Sequence, residues 1–347
     1  MAFMNTDDLR KRIARFPRVT LAHAPTAIEP LAGLSALLGG DARIFVKRDD
    51  CTGLAMGGNK ARQLEFYLGA AQAENADIVL ITGAVQSNFA RSAAAAARKC
   101  GFDCVVQLEE RLQTDDATYH AGGNVLLDRL FGAEIRHYPE GEDEAGADAA
   151  IRAYAEELRS QGRRPYVIPL SADHPPLGAL GYVLAAAELV EQMRNARQTF
   201  SEIIIGSGSG GSHAGLLWGL RALGDATQVI GACVRRDAAA QKARIECLMP
   251  RIDALLGATS GAAAEDVVTD DAALAPGYGR LSPEIADALC RTARADGLLL
   301  DPAYTAKVMA TLLDRIKTGR ARGDVLFIHT GGTPALFAYA DLLADAI

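Results

Sequence analysis

No Cys-x-x-Cys pair occurs in this 347-residue chain, whose six cysteines (Cys51, Cys100, Cys104, Cys233, Cys247 and Cys290) are scattered. That argues against a disulfide framework and for reduced, mostly buried thiols that behave as small apolar side chains. The six histidines (His23, His120, His137, His174, His213 and His329) are also dispersed, without His-x-x-x-His spacing, so a metal site is unsupported. No apolar run approaches the roughly 20 residues of a membrane span, and the opening segment MAFMNTDDLRKRIARFP is mixed in charge with no apolar signal core. A cytoplasmic location is the expectation, with no membrane partner. A basic excess is missing too: the formal charge is −7, whereas a nucleic-acid partner calls for a basic face. Tandem repeats and low-complexity segments are absent.

What is present is a soluble globular composition, 49% hydrophobic and 23% charged, on a chain long enough for two domains or for one with an inserted lobe. Short β-branched runs alternate with alanine-rich amphipathic stretches, the pattern of parallel strands joined by helices. DIVLITG (77 to 83), DCVVQLE (103 to 109), AEIRHYP (133 to 139) and RPYVIPL (164 to 170) read as one set of strands, and SEIIIG, TQVIGACV (227 to 234) and DVLFIHTGG (324 to 332) as a second. FARSAAAAARKCG, GALGYVLAAAELVEQMRNA and SHAGLLWGLRALG read as helices, and SGAAAEDVVTDDAALAPGYG as an irregular connection. The expected layout is a small α/β domain of residues 57 to 170 inserted in a larger one of residues 1 to 56 and 171 to 347. Their loops would meet at a cleft, where ligands of such folds lie.

One stretch, TGLAMGGNKARQLEF (52 to 66), sets a single lysine at a helix start, with Asn59 as the expected N-cap. An ammonium is electrostatically misplaced there, and the same position helps to lower an amine pKa toward the neutral, nucleophilic form. Equally, a lysine in a first helical turn can simply point into water. IIIGSGSGGSHAGLL places Ser207, Gly208, Ser209, Gly210, Gly211 and Ser212 between a strand and a helix, so that backbone N–H groups and hydroxyls can converge on an anion. It lacks the Gly-Lys-Ser/Thr ending of a nucleoside-triphosphatase loop and is a poor dinucleotide fingerprint. TGAVQSNFARS puts Gln86, Ser87 and Asn88 at another strand end, either as a capping cluster or as donors to a planar ring or carboxylate. APGYG and DPAYTAK carry Tyr278 and Tyr304, and FIHTGGTPALF offers Thr330. One amine, one phosphate cradle and several polar strand ends suggest pyridoxal phosphate.

In order along the chain, KRDDCTGLAMGGNKARQLEF, TGAVQSNFAR, LGALGYV, GSGSGGSHAGL, APGYG, LLLDPAYTAK and LFIHTGGTPALFAY resemble motifs of the fold-type II pyridoxal-phosphate enzymes. The resemblance is to the family of D-cysteine desulfhydrase and 1-aminocyclopropane-1-carboxylate deaminase, which includes L-cysteate sulfo-lyase. It implies two open, mostly parallel sheets flanked by helices, as in tryptophan synthase β, and a homodimer. It also implies that Lys60 forms the internal aldimine, that Asn88 sits beside the cofactor ring and hydroxyl, and that Ser87 reaches the substrate carboxylate or the reacting carbon. Ser207 to Ser212 would hold the phosphate, Tyr278 and Tyr304 would be the two active-site tyrosines, and Thr305 would face the pyridine nitrogen.

By the same resemblance the deaminases carry a glutamate at the position of Thr305 and tend to carry a leucine at that of Thr330, where the threonine agrees with the desulfhydrases. A threonine cannot supply the charge that keeps the ring a strong electron sink, so the resemblance implies α,β-elimination on a small amino acid, giving pyruvate and ammonia. Ring-opening deamination is the alternative, followed by a cofactor-binding homologue without catalysis and, outside the family, a nucleotide-binding dehydrogenase. Two features depart from the family pattern. Phe89 stands where relatives carry histidine or glutamine, and the loop SADHPP (171 to 176) echoes the deaminase Asp-His-Pro one place early, with His174 as a substitute polar group or a solvent-facing one.

Overall fold

The computed structural model describes residues 3 to 170 and 174 to 344. Residues 171 to 173 of the loop SADHPP lie outside the described residues. The β-branched runs become β1 (Ile28–Pro30), β2 (Arg43–Lys47), β3 (Ile78–Ala84), β4 (Asp103–Glu109), β5 (Glu134–Tyr138), β6 (Pro165–Ile168), β7 (Glu202–Ser207), β8 (Gln228–Cys233), β9 (Val268–Asp270) and β10 (Asp324–Ile328). They form two open sheets. One is four-stranded and all parallel, in the order β5-β4-β3-β6. The other is six-stranded, in the order β1-β2-β10-β7-β8-β9, and parallel except at its antiparallel β1 edge. Every residue of β3 is buried, which explains why the central strands read as unbroken apolar runs instead of alternating ones.

The alanine-rich helix Asn88–Cys100 starts at Ser87, whose hydroxyl accepts from the Ala90 N–H at 3.1 Å, and ends at Gly101 in the left-handed region. Its buried run Ala93–Ala97 lets the helix lie close to its neighbours. Helices Ala179–Ala196 and Gly211–Ala222 pack more tightly still: a Cβ at Gly215 would come 2.3 Å from the Ala179 carbonyl oxygen, and one at Gly219 would come 2.5 Å from the Ala186 Cβ.

The segment from 260 to 279 corrects the sequence reading. Expected as irregular, it contains a short helical turn at Ala264–Asp266 and the edge strand β9. Ionic pairing fixes this strand: Asp270 accepts from Arg315 at 2.9 Å and from Arg320 at 2.8 Å, and no hydrophobic alternation marks it. A second ionic cluster stands behind the helix Lys60–Ala73. There Arg62 donates to Asp49 at 2.9 Å and to Glu188 at 2.9 Å, Lys47 donates to Glu188 at 2.5 Å, and Tyr182 donates to Asp49 at 2.6 Å. Those bonds tie β2 and the helix Ala179–Ala196 to the helix that begins at Lys60. The carboxyl ends of β3, β7, β8 and β10 all open on one cavity, which carries Ala84, Gly206, Val234 and Thr330 on its wall.

Candidate active site

Lys60 lines that cavity at the first residue of its helix. Its amine has the Phe89 ring centroid at 4.7 Å and Gln63 Oε1 at 3.4 Å. No carboxylate offsets its desolvation, and burial alone pulls it down to about 8. A half-buried amine without a counterion among the described residues thus has a far larger free-base fraction at ordinary pH than an ordinary lysine, although the ammonium still predominates at pH 7. Cofactor uptake should follow this titration: below pH 8 the rate at which cofactor-free protein binds pyridoxal phosphate should fall about tenfold per pH unit as the amine protonates. Stopped-flow absorbance across pH 6 to 9 measures it, and a flat profile overturns the assignment of the amine.

Asn59 corrects an expectation. It makes no side-chain cap and instead donates its amide to Ser212 Oγ at 2.9 Å. Gln63 donates to the same hydroxyl at 2.7 Å. With two donors already on its oxygen, Ser212 has its own proton free for an anion. Gly208, Ser209 and Gly210 continue the wall, and Gly210 has φ +93°, a conformation that a side chain would strain. An added Cβ there would also meet Leu248 Cδ1 at 2.9 Å. Gly211 borders a smaller neighbouring cavity with Phe89 and His174, and His174 contacts Arg152. Ser207 is a second correction: its hydroxyl is fully buried behind the loop, accepting from Gln241 at 2.8 Å and lying 3.1 Å from His213 Nδ1. Ser207 supports the cradle from behind, because the strand ends with its side chain turned toward the helix Gly211–Ala222. Burial lowers His213 to about 4, so this support stays uncharged.

On the opposite wall stand Ser87 and Asn88, with Tyr278 and Tyr304. The two phenolic oxygens are 2.6 Å apart, and the Arg111 guanidinium lies 5.7 Å from the Tyr278 ring centroid. Burial raises both phenols, and the Arg111 charge opposes the rise in each. The two phenols share one hydrogen bond in which either oxygen can be the donor. Lys307 holds this corner by donating to the carbonyls of Ala273 at 3.2 Å and Leu274 at 2.8 Å, just ahead of the loop that bears Tyr278.

Thr330 lines the cavity, and its carbonyl accepts from the Asn59 N–H at 3.0 Å. Thr305 does not line it: the hydroxyl donates to Asp301 Oδ1 at 2.7 Å and accepts from the Asp301 N–H at 2.7 Å. Gln86 is likewise structural, bonding to the Tyr119 carbonyl at 2.6 Å and the Asn124 N–H at 2.9 Å. Sequence reasoning missed Arg111, Glu144, Arg235 and Arg236, which complete the cavity wall. Arg236 donates to Glu144 at 2.6 Å and Arg235 also pairs with Glu144, joining the stretch after β8 to the helix Glu144–Ser160. One signal was available: Arg111, Arg235 and Arg236 follow strand ends, the same location that marks residues 86 to 88.

A lone desolvated amine, a serine with a free proton in a glycine-rich turn and a pair of phenols fit pyridoxal phosphate. Comparison with known proteins agrees. The family described as pyridoxal-phosphate dependent enzyme matches residues 19–331. The chain is 42% identical over 333 residues to D-cysteine desulfhydrase of Yersinia enterocolitica, covering 95% of this chain and 98% of the relative. It is 43% identical over 329 residues to the protein of the same name from Salmonella typhi, covering 94% and 97%. The crystal structure of an ACC deaminase homologue superposes with TM-score 0.87 at 35% identity, covering 98% of this chain and 99% of that one. The matched span takes in both sheets and the whole cavity wall, and the chain belongs to the pyridoxal-phosphate dependent enzymes.

Proposed function

We propose that the protein catalyses α,β-elimination on a small β-substituted amino acid such as D-cysteine or L-cysteate, releasing pyruvate, ammonia and sulfide or sulfite. The observation that carries this reading is the desolvated Lys60 amine sharing one cavity with the coupled phenols of Tyr278 and Tyr304. Bound pyridoxal phosphate supplies the electron sink that makes the Cα proton removable. The chain's own groups do the rest. Lys60 holds the cofactor and, with an amine near 8, accepts the Cα proton. Ser212 and the N–H groups of the Gly208–Gly211 turn hold the phosphate, while Asn88 faces the cofactor ring and its hydroxyl. Ser87 accepts from the Ala90 N–H, which leaves its own proton for a substrate carboxylate. Tyr304, on the cavity wall and bonded to the Tyr278 phenol, donates its proton to the departing sulfur group.

The resemblance favours elimination over ring opening at Thr305, although this residue is not on the cavity wall. Its hydroxyl is committed to Asp301, whose carboxyl burial holds above its ordinary value. A glutamate at 305 would set a second acid against that carboxyl. Ring-opening deamination of 1-aminocyclopropane-1-carboxylate remains the second reading, since the superposed relative is a homologue of that deaminase. The proposal includes a small lobe of residues 57 to 170, a larger lobe of residues 1 to 56 and 171 to 347, a homodimer and a cytoplasmic location. Among the described residues, no helix is long and apolar enough to cross a membrane.

Keto-acid assays on the purified protein with pyridoxal phosphate test the reading, with D-cysteine, L-cysteine, β-chloro-D-alanine, L-cysteate and 1-aminocyclopropane-1-carboxylate offered separately. Pyruvate from any of the first four supports elimination; 2-oxobutyrate from the last, alone, overturns it. Tyr304→Phe should lower kcat about a hundredfold while cofactor absorbance is retained, because it removes a proton donor and not the cofactor's anchor. Unchanged kcat would remove Tyr304 from the reaction.

A further inference from the structure

Arg91, one helical turn along from Asn88 and fully buried, donates to the Asn88 side chain, and no carboxylate is salt-bridged to it among the described residues. Asp128 is the acid nearest enough to act on it, yet both Asp128 oxygens lack a hydrogen-bond partner, and burial raises that carboxyl to about 8, leaving it mostly neutral at pH 7. The guanidinium spends its N–H groups on neutral acceptors: the carbonyls of Ala55 at 2.5 Å and Gly57 at 3.1 Å, Asn124 Oδ1 at 3.1 Å and Asn88 Oδ1 at 3.3 Å. A guanidinium has donors only, so the atom facing it on each amide must be oxygen. For Asn124 this turns the NH2 toward the Gln86 carbonyl at 3.1 Å and toward Asn88 Oδ1 at 3.0 Å. Asn88 Oδ1 thus receives two donors, and the remaining end of its amide is the NH2 group. Asn88 also lines the cavity.

We propose that Arg91 and Asn124 are positioning residues that lock the Asn88 amide with its NH2 toward the cofactor site, making Asn88 a charge-assisted donor to the cofactor's ring oxygen anion. The inference rests on the pyridoxal-phosphate reading of the site and deepens it. Arg91 serves two walls at once, because its bonds to residues 55 and 57 fix the turn that leads into Lys60. A buried cation aimed at the amide oxygen polarises the opposite N–H bonds, and a donor to an anion is worth more than one to a neutral oxygen. Removing that donor destabilises the anionic form of the bound cofactor, so the group should titrate at higher pH. The charged groups around the amide are Arg91 on its own helix, Lys60 on the helix Lys60–Ala73 and Asp128 on the helix Gly123–Leu130.

The test is a pH titration of the visible absorbance of bound pyridoxal phosphate in wild type, Arg91→Lys, Asn124→Ala and Asn88→Ala, with melting temperatures measured alongside. The expected result is a rise in the titration midpoint of about one pH unit in Asn124→Ala, the size of one charge-assisted bond, and at least as large a rise in Asn88→Ala. Arg91→Lys keeps the charge but not the fork, so it should shift the midpoint and weaken cofactor retention about tenfold. If the Asn124→Ala and Asn88→Ala proteins hold the cofactor with the wild-type midpoint, the inference is overturned, whatever happens to their melting temperatures. The two asparagine variants decide the matter even if Arg91→Lys does not fold. A wild-type protein that develops no visible absorbance with pyridoxal phosphate sinks the functional reading itself, which is a separate result.

Discussion

Lys60→Ala is expected to lower turnover by at least about a thousandfold and to abolish the visible absorbance of added pyridoxal phosphate, the two losses arriving together because one amine both anchors the cofactor and moves a proton. The control lies within the same protein. Lys307 is buried and is also lowered to about 8 by burial, so amine acidity alone does not distinguish the two. Geometry does: Lys307 is bonded to two carbonyls and is absent from the cavity wall, whereas Lys60 lines the cavity with its amine beside Gln63 and Phe89. Treatment of the loaded protein with borohydride followed by peptide mapping should therefore mark Lys60 and leave Lys307 unmodified. A label on Lys307, or turnover surviving in Lys60→Ala, would contradict the assignment of the amine.

Phe89 stands with its ring centroid 4.7 Å from the Lys60 amine. Its ring keeps water and hydrogen-bond acceptors from one flank of Lys60, which is consistent with burial being the whole cause of the lowered amine.

The parts legible in the sequence were those written locally. Lys60, the 207 to 212 turn and the polar strand ends at 86 to 88 and 330 each lie beside a strand or helix boundary that residue type alone announces. Direction was not legible. Ser207 and Ser212 share one motif, yet Ser207 points behind the turn to His213 and Gln241 while Ser212 lies on the cavity wall. No pattern of period 2 or 3.6 decides that at a turn. Thr305 is similar: the residue type is plain, but its commitment to Asp301 depends on how residues 301 to 305 fold back on themselves. Arg111, Arg235 and Arg236 were passed over despite following strand ends, because the packing of the two sheets is what brings them and Glu144 to one wall. Edge strand β9 escaped for a related reason, since Arg315 and Arg320 hold it from more than 40 residues away in sequence, on an ionic pattern with no period.

The largest stability effect should come from such a non-local contact, at Arg62. This side chain is 4% exposed and bonds to Asp49, itself 1% exposed, and to Glu188. Burial, the largest single cause, raises both carboxyls, but Arg62 and Lys47 together, with the Tyr182 hydroxyl at Asp49, hold them below their ordinary values. Arg62→Met keeps much of the volume and removes the charge, leaving two acids with Lys47 as the remaining cation among the described residues bonded to them. Breaking a buried pair in this way costs about 3 to 5 kcal/mol, where an intact pair replaced whole by apolar residues would cost little. In a chain of this size that corresponds to a fall of about 5 °C in melting temperature at pH 7. The exposed i,i+4 pair Arg291–Asp287, at 2.7 Å, gives the contrast: Arg291→Met should change stability by less than about 0.5 kcal/mol. The pH dependence fixes the cause. In the wild type the depressed carboxyls contribute stability that is present above their unfolded pKa values and lost as pH falls through the folded ones. In Arg62→Met those pKa values move up, so protonation relieves the stranded charges and the deficit against wild type should narrow from pH 7 to pH 4. A deficit independent of pH would mean that lost packing, and not uncompensated charge, destabilises the variant. Because Lys60 heads the same helix, the variant should also hold its cofactor less tightly at pH 7 than at pH 5.5 relative to wild type, tying the ionic cluster behind the helix to the amine at its tip.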